Sequence, residues 1–446
     1  MEKLVQRLLS ESSLFAELGY VPTAIMVMLV CAFIVLNFFG VMGGLFTYFE
    51  RKLAGWTNAR RGPNRVGPWG LAQWIADGVK LVLKEDIIPA AADRPLFKFA
   101  PYLVLLGTAL SFVVIPFGPF LIISDLNVGV LYLLATGSFT VLGLIMAGWA
   151  SNNKWSLLGG MRSAAQIVSY EVPNALAILV VVLSAGTMSL QGIIAVQGGG
   201  LFDWLVFSSP FTLVAFCIFF ISAIAEINRI PFDIPEAESE LVAGYNIEYS
   251  GMRFGAFFVA EFGNIYVISA VAVTCFLGGW QVPFLAHPSE LAGAGLAVGR
   301  TLAGLPAMLV ISLLALVNVF FAVITLRAFL QDLIRKWPRF RDRKVRINSE
   351  WLGLNLLFGG AALFLALHWP LRAYLPLIYE LAFEYLLPFI VFFVKTMLIC
   401  FVVLWWRWTL PRLRVDQLMS VCWRYLTPLG FFCLLGQAAW LCFVVA

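Results

Sequence analysis

Between residues 225 and 253 the chain reads AEINRIPFDIPEAESELVAGYNIEYSGMR and carries six carboxylates, Glu226, Asp233, Glu236, Glu238, Glu240 and Glu248, against only Arg229 and Arg253. In lipid, six carboxylates would cost roughly 15 kcal/mol at about 2.5 each. They therefore belong in water, in a polar cavity or against a partner. A solvated acidic loop is one reading. The interleaved Ile230, Pro231, Phe232, Ile234, Pro235, Leu241 and Val242 favour the other, a partly buried segment whose prolines fix its path. If Pro235 opens a helix, Glu236 and Glu240 share one face, where like charges repel and raise the proton affinity of at least one of them. Such groups trade protons near neutral pH. A negative charge arriving nearby favours uptake and its removal favours release, which is the chemistry of charge-to-proton coupling.

Two further charges stand beside or within apolar runs. Glu171, in WASNNKWSLLGGMRSAAQIVSYEVP, falls at the mouth of such a run, where a carboxylate is a functional candidate. The alternative is an ion pair with Arg162 or Lys154. Lys395, inside another run, either relays protons or pairs with a buried glutamate. Seven cysteines (Cys31, Cys217, Cys275, Cys400, Cys422, Cys433, Cys442) are scattered without a C-x-x-C, and there are two histidines, His287 and His368. This argues against a disulfide framework and against metal or iron–sulfur ligation by this chain alone. A redox centre would belong to a partner.

The elements that position these groups are set by hydropathy. The 446 residues are 61% hydrophobic and 12% charged, with a mean hydropathy of +0.91, against about a quarter charged in soluble domains. Nine charge-free runs, 18–49, 99–124, 126–153, 172–202, 204–225, 262–289, 301–326, 351–371 and 425–446, each reach the ~20 residues that cross a hydrocarbon core as a helix. A tenth, 385–406, is interrupted only by Lys395. Continuous runs rather than short alternating ones predict an all-α polytopic bundle of about ten spans, not a barrel. No basic segment leads into a short apolar stretch with a small-residue cleavage site, so 21–48 reads as a retained first span.

If the spans alternate, the linkers 49–98, 151–171, 226–253, 327–350 and 407–424 share one side and hold 25 of the 30 lysines and arginines. The positive-inside rule makes that side cytoplasmic and both termini external. The net charge of +5 thus follows topology and is no nucleic-acid footprint. In the first linker, Leu71, Trp74, Ile75, Val79, Val82 and Leu83 recur at helical spacing opposite Gln73, Asp77, Lys80 and Lys84. That pattern predicts an amphipathic helix over 69–84, lying at the membrane interface.

Four stretches resemble the quinone-chamber membrane subunit of respiratory complex I (NADH:quinone oxidoreductase), the H-type subunit of bacteria and its mitochondrial counterpart. They are ERKLAGWTNARRGPNRVGPWGLAQWIADGVKLVLKEDIIP (50–89), SLLGGMRSAAQIVSYEVP (156–173), AEINRIPFDIPEAESELVAGYNIEYSGMRFGAFFVAEFGNIY (225–266) and WWRWTLPRLRVDQLM (405–419). The likeness covers about 20–280 and 385–446. It implies an eight-span helical bundle with a quinone chamber at its junction with a peripheral arm. Arg51, Arg60, Arg61, Asn64 and Arg65, with 69–84 behind them, would belong to the mouth and wall of that chamber, although positive-inside anchoring accounts for some of these arginines equally well. The resemblance assigns Glu50, Glu171, Glu226, Asp233, Glu236, Glu238, Glu240 and Glu248 to an acidic track between chamber and proton path, and sets Arg229 among those acids as a quinone-side arginine. Asp77, Lys80 and Glu261 match charged family positions with a stronger claim to structural pairing.

The implied partners are the iron–sulfur and quinone-site subunits of the peripheral arm and antiporter-like membrane subunits, in a bacterial inner membrane. The substrate would be ubiquinone or menaquinone, with the redox centres elsewhere. Two departures stand out. Asn58 occupies a position where glutamine is common, and no quinone contact is assigned to it. The stretch 301–384 adds two spans and a linker, LRAFLQDLIRKWPRFRDRKVR, with eight basic residues. This divides the chain into a family core over 1–300, an inserted hairpin over 301–384 and the last two core spans over 385–446. The hairpin reads as a brace or as a contact for an extra subunit or anionic lipid. The competing functions are the equivalent subunit of a membrane-bound hydrogenase, and a standalone ion transporter. Against the latter, the charges concentrate in one-sided loops and no internal repeat is evident.

Overall fold

The computed structural model describes residues 20–119, 121–198, 200–234, 243–283, 297, 301, 305–340, 349–367 and 382–445. Among these residues the regular structure is helical and no strand occurs. Each of the ten apolar runs falls on a helix: α1 (Tyr20–Thr57), α3 (Arg94–Ser111), α4 (Gly129–Ala150), α5 (Lys154–Ala185), α7 (Pro210–Glu226), α8 (Gly251–Phe276), α9 (Leu305–Phe340), α10 (Ser349–Leu367), α11 (Leu387–Thr409) and α12 (Val415–Phe443). Seven stretches are long and apolar enough to cross a membrane, in α1, α4, α5, α8, α9, α11 and α12, while α7 and residues 351–363 of α10 are shorter apolar helices. The chain is a polytopic helical membrane protein.

The expected amphipathic segment is also helical. A single turn over Pro68–Gly70 leads into α2 (Gln73–Leu83). Ile75, Val79, Val82 and Leu83 stand exposed along α2. A short helix, α6 (Leu190–Val196), follows α5.

Two compact units divide the contacts. The first comprises Met1–Gly44, Leu81–Ala286 and Pro388–Ala446, and the second Leu45–Lys80 and His287–Leu387. In the first unit α5 and α8 are central: 56% and 67% of their most apolar stretches are buried, against 11% for α1. Helix α5 packs on α4, α7 and α12, and α3 packs on α4 and α8. Close approach of α4 and α5 requires glycine, because a Cβ on Gly148 would lie 3.2 Å from the Cα of Gly160 and 2.9 Å from the carbonyl of Ser156. With lipid outside, such small-residue contacts are a main source of helix association. Helix ends follow local rules. Asn153 Oδ1 accepts from Trp155 N to start α5, Gly186 ends it in the left-handed conformation, and Ser209 and Thr212 form a capping box opening α7, with Pro210 in its first turn.

In the second unit α9 and α10 pack on each other, and α10 packs on the turn at Pro68–Gly70, with Gly353 against the Trp69 ring. Helix α1 ends with Arg60 N donating to Gly55 O at 2.8 Å and Ala59 N to Trp56 O at 3.2 Å. This is a Schellman arrangement, with Ala59 in the left-handed region at φ 51°.

Candidate functional site

At one end of the first unit four linkers are bonded together. The side-chain amide of Gln166, buried on α5, donates to the carbonyls of Ala225 and Phe232, both at 2.7 Å. The chain leaving α7 therefore turns around Gln166, and Ile227, Arg229, Phe232 and Ile234 are buried. For residues 225–234 the partly buried reading of the acidic segment holds. Glu236, Glu238 and Glu240, with the expected helix opened by Pro235, lie outside the described residues.

Arg229 is 3% exposed; its Nε pairs with Glu261 Oε1 of α8 at 2.6 Å, and its guanidinium lies 4.5 Å from the centre of the Phe262 ring. Asp233 pairs with Arg412 at 3.0 Å, beside a backbone bond from Leu413 N to Pro231 O. Glu248 accepts from Asn153 Nδ2 at 2.7 Å, and Arg253 pairs with Asp86 at 2.9 Å. These contacts join the linkers 49–98, 151–171, 226–253 and 407–424. Within this unit the alternation of spans that put them on one side is correct.

Above this layer lies a cavity of about 70 Å³ between α3, α4, α5, α7 and α8, lined among others by Glu226, Asn174, Ser111, Thr140 and Asn264. It has room for a few waters. Glu226, the last residue of α7, accepts from Asn174 Nδ2 at 2.8 Å through Oε2. A Cβ on Gly137 of α4 would lie 3.4 Å from the other oxygen, Oε1. Glu171 precedes Asn174 by three residues on α5, which puts the two on neighbouring positions of one face. Ser111 Oγ and Thr136 Oγ1 are 2.9 Å apart beside the cavity. A carboxylate beside hydroxyls and amides in a small cavity lined mostly by apolar side chains can hold, accept and release a proton.

The arginine-rich segment belongs to the second unit. Arg51 pairs with Asp77 of α2, which also accepts from Gln73 at 3.1 Å. Glu50 is buried, Asn64 is partly buried, and Arg60, Arg61 and Arg65 are exposed. The segment 59–70 folds back on α1 through glycine: a Cβ on Gly55 would lie 2.7 Å from Gly62 N. Tyr48 donates to Trp69 O at 3.0 Å. Of the residues expected on the quinone side, Arg229 differs from the others, being enclosed among acids and aromatics in the first unit. Among the described residues no group of three or more His, Cys, Asp or Glu is placed to hold a metal ion.

Among the described residues Lys395 is paired with no glutamate. Its ammonium donates to the carbonyls of Leu277, Gly279 and Gln281 at 2.8, 3.1 and 2.8 Å and lies 4.2 Å from the centre of the Trp204 ring. Sequence reasoning missed Asn174, Gln166 and Arg412. Asn174 had a usable signal, an amide one turn beyond Glu171 inside an apolar run. Arg412 had none, because its partner Asp233 is 179 positions away.

The family model described as NADH dehydrogenase matches residues 27–351 and 345–438. The chain is 43% identical over 426 residues to the H-type NADH-quinone oxidoreductase subunit of Anaeromyxobacter dehalogenans, covering 96% of this chain and 84% of that one. It is 37% identical over 426 residues to the H-type subunit of Chlorobaculum tepidum, covering 95% and 94%. To an H-type subunit of Solibacter usitatus it is 41% identical over 410 residues, covering 89% and 93%. With the helical bundle and the acidic layer at one end of it, these likenesses make the chain a member of the NADH dehydrogenase family, the family of these quinone oxidoreductase membrane subunits.

Proposed function

We propose that this chain is the membrane subunit of a proton-pumping NADH:quinone oxidoreductase, forming the quinone chamber with the peripheral arm and coupling quinone reduction to proton movement. The observation that carries the reading is Glu226. Its carboxylate ends α7 in the same layer as the Arg229–Glu261 and Asp233–Arg412 pairs, and it lines the cavity inside the bundle. Electrons come from an iron–sulfur centre in a partner subunit. Quinone, ubiquinone or menaquinone, takes two electrons and two protons to become the quinol. The change of charge at the chamber shifts proton occupancy along Glu50, Glu171, Glu226, Asp233, Glu248 and the acids at 236, 238 and 240.

Arg51, Arg60, Arg61, Asn64 and Arg65 serve the quinone side, with Arg51 held by Asp77. Arg229 serves the acid track by holding Glu261. The linkers rich in lysine and arginine face the cytoplasm of a bacterial inner membrane, α2 lies along its surface, and the hairpin 301–384 braces the family core. Antiporter-like membrane subunits complete the pump. The relatives named above are quinone oxidoreductase subunits, which gives the hydrogenase alternative no support.

The test uses membranes in which the complete complex carries Glu226→Gln. The expected result is full assembly, with quinone-dependent NADH oxidation and proton pumping both reduced at least tenfold. Wild-type rates of both would remove Glu226 from the coupling path.

A further inference from the structure

Asn174 is a costly residue where it stands. It is 5% exposed in the interior of α5, among helices whose outer faces are apolar, and an amide there must be used or its desolvation is lost. Half of it is used: Nδ2 donates to Glu226 Oε2 at 2.8 Å. The other half, Oδ1, is buried without a protein partner, on a residue that lines the cavity. Across the carboxylate, Gly137 contributes no side chain, and a methyl group added there would touch only Glu226 Oε1 within 4 Å. The two oxygens of Glu226 are therefore treated differently. Oε2 is held by an amide, and Oε1 faces the space that a glycine keeps open.

We propose that Asn174 is a positioning residue for Glu226, holding one carboxylate oxygen so that the other exchanges its proton with water on the Gly137 side of the cavity. The inference rests on the reading of Glu226 as a coupling group. Asn174 suits the task because an amide serves both protonation states. It donates through Nδ2 to the carboxylate and, turned over, accepts through Oδ1 from the carboxyl O–H. While Nδ2 is engaged, Oδ1 is an acceptor for a cavity water. The step is a relay: the O–H bond at Oε1 breaks as one forms to the neighbouring water, which passes a proton of its own onward. Ser111, which lines the cavity and stands 2.9 Å from Thr136 Oγ1, is the next exchange partner. One proton moves per relay and only O–H bonds are exchanged.

The experiment compares Asn174→Leu, Asn174→Ser and Gly137→Ala with Glu226→Gln in the assembled complex in membrane vesicles. Two quantities are read: protons pumped and quinone reduced per second, and the infrared carboxyl C=O band identified as that of Glu226 by its loss in Glu226→Gln. Leucine matches asparagine in size but neither donates nor accepts. Asn174→Leu is expected to lower turnover on the order of tenfold, the effect of losing one hydrogen bond to a charged group, and to move the carboxyl band to higher frequency. Asn174→Ser, whose hydroxyl donates and accepts, is expected to restore turnover to within about threefold. Gly137→Ala, which narrows the space at Oε1 without touching the amide, is expected to slow turnover while leaving the complex assembled. If Glu226→Gln stops turnover while Asn174→Leu keeps the wild-type rate and band, the role of Asn174 is overturned and the reading of Glu226 stands. Wild-type turnover in Glu226→Gln overturns both. Should Asn174→Leu fail to assemble, Asn174→Ser with no better than tenfold-reduced turnover and an unmoved band overturns the proposal.

Discussion

Replacing Arg229 by methionine will destabilise the end of the bundle that carries the acidic layer. The side chain of Arg229 is 4% exposed and that of its partner Glu261 14%, at 2.6 Å. Removing one member of a buried ion pair leaves the other charge uncompensated, at a cost of roughly 3–5 kcal/mol. The guanidinium also lies 4.5 Å from the Phe262 ring centre, a contact worth up to about 2 kcal/mol when desolvated. Arg229→Met loses both terms, whereas Glu261→Gln keeps the ring contact, so the arginine variant is the weaker by ~1–2 kcal/mol. The double variant Arg229→Met/Glu261→Gln leaves neither member of this pair facing the other's missing charge and recovers part of the loss.

Buried Cys275 and Cys400 on α8 and α11 supply the assay. In the solubilised complex, the temperature at which a thiol-reactive dye labels them marks opening of the bundle. If the two single changes add in the double variant, or if each costs less than about 1 kcal/mol, the pair is not held in a desolvated environment and the reasoning fails.

Lys395→Met should open the opposite end of the first unit. Its three ammonium donors meet three carbonyls at 2.8–3.1 Å, and methionine leaves those carbonyls with nothing to accept. A loss of roughly 3 kcal/mol is expected, at about 1 kcal/mol per hydrogen bond, read by the same labelling assay and partly reversed by added methylammonium. A side chain at Gly160, as in Gly160→Val, forces α4 and α5 apart where the Gly160 Cβ position lies 3.3 Å from the Gly148 Cα. The expected outcome is failure of the protein to accumulate in membranes, measured by immunoblot, while Gly186→Asn, at an open left-handed position with nothing within 4 Å, accumulates normally.

Much of the fold was legible because span formation is a property of single segments. A run such as 126–153 carries its own transfer free energy and closes its own hydrogen bonds, so it reads as a helix without knowledge of any neighbour. The amphipathic α2 was legible for the same reason, its period being internal. The acidic segment was legible in part. Phe232 and Ile234 were expected to draw it inward and are buried, yet nothing local indicated that Gln166 anchors it. Glu226 was legible as one of six carboxylates of the acidic segment, but the space at its Oε1 is bordered by Gly137, which looks like any other glycine of a membrane helix.

By itself, then, the chain of residue types determined which segments form apolar helices, which linkers of the first unit share a side, and the family whose segments they resemble, because each follows from local hydropathy, charge or motif. Tertiary structure alone decided which charges meet. Arg229 with Glu261, Asp233 with Arg412, Glu226 with Asn174 and Lys395 with the carbonyls after α8 are joined across 32, 179, 52 and more than 100 positions. Such meetings are fixed by the rotation and height at which helices pack, quantities set by close contacts like that of Gly148 with Gly160, to which the hydropathy of either segment is blind.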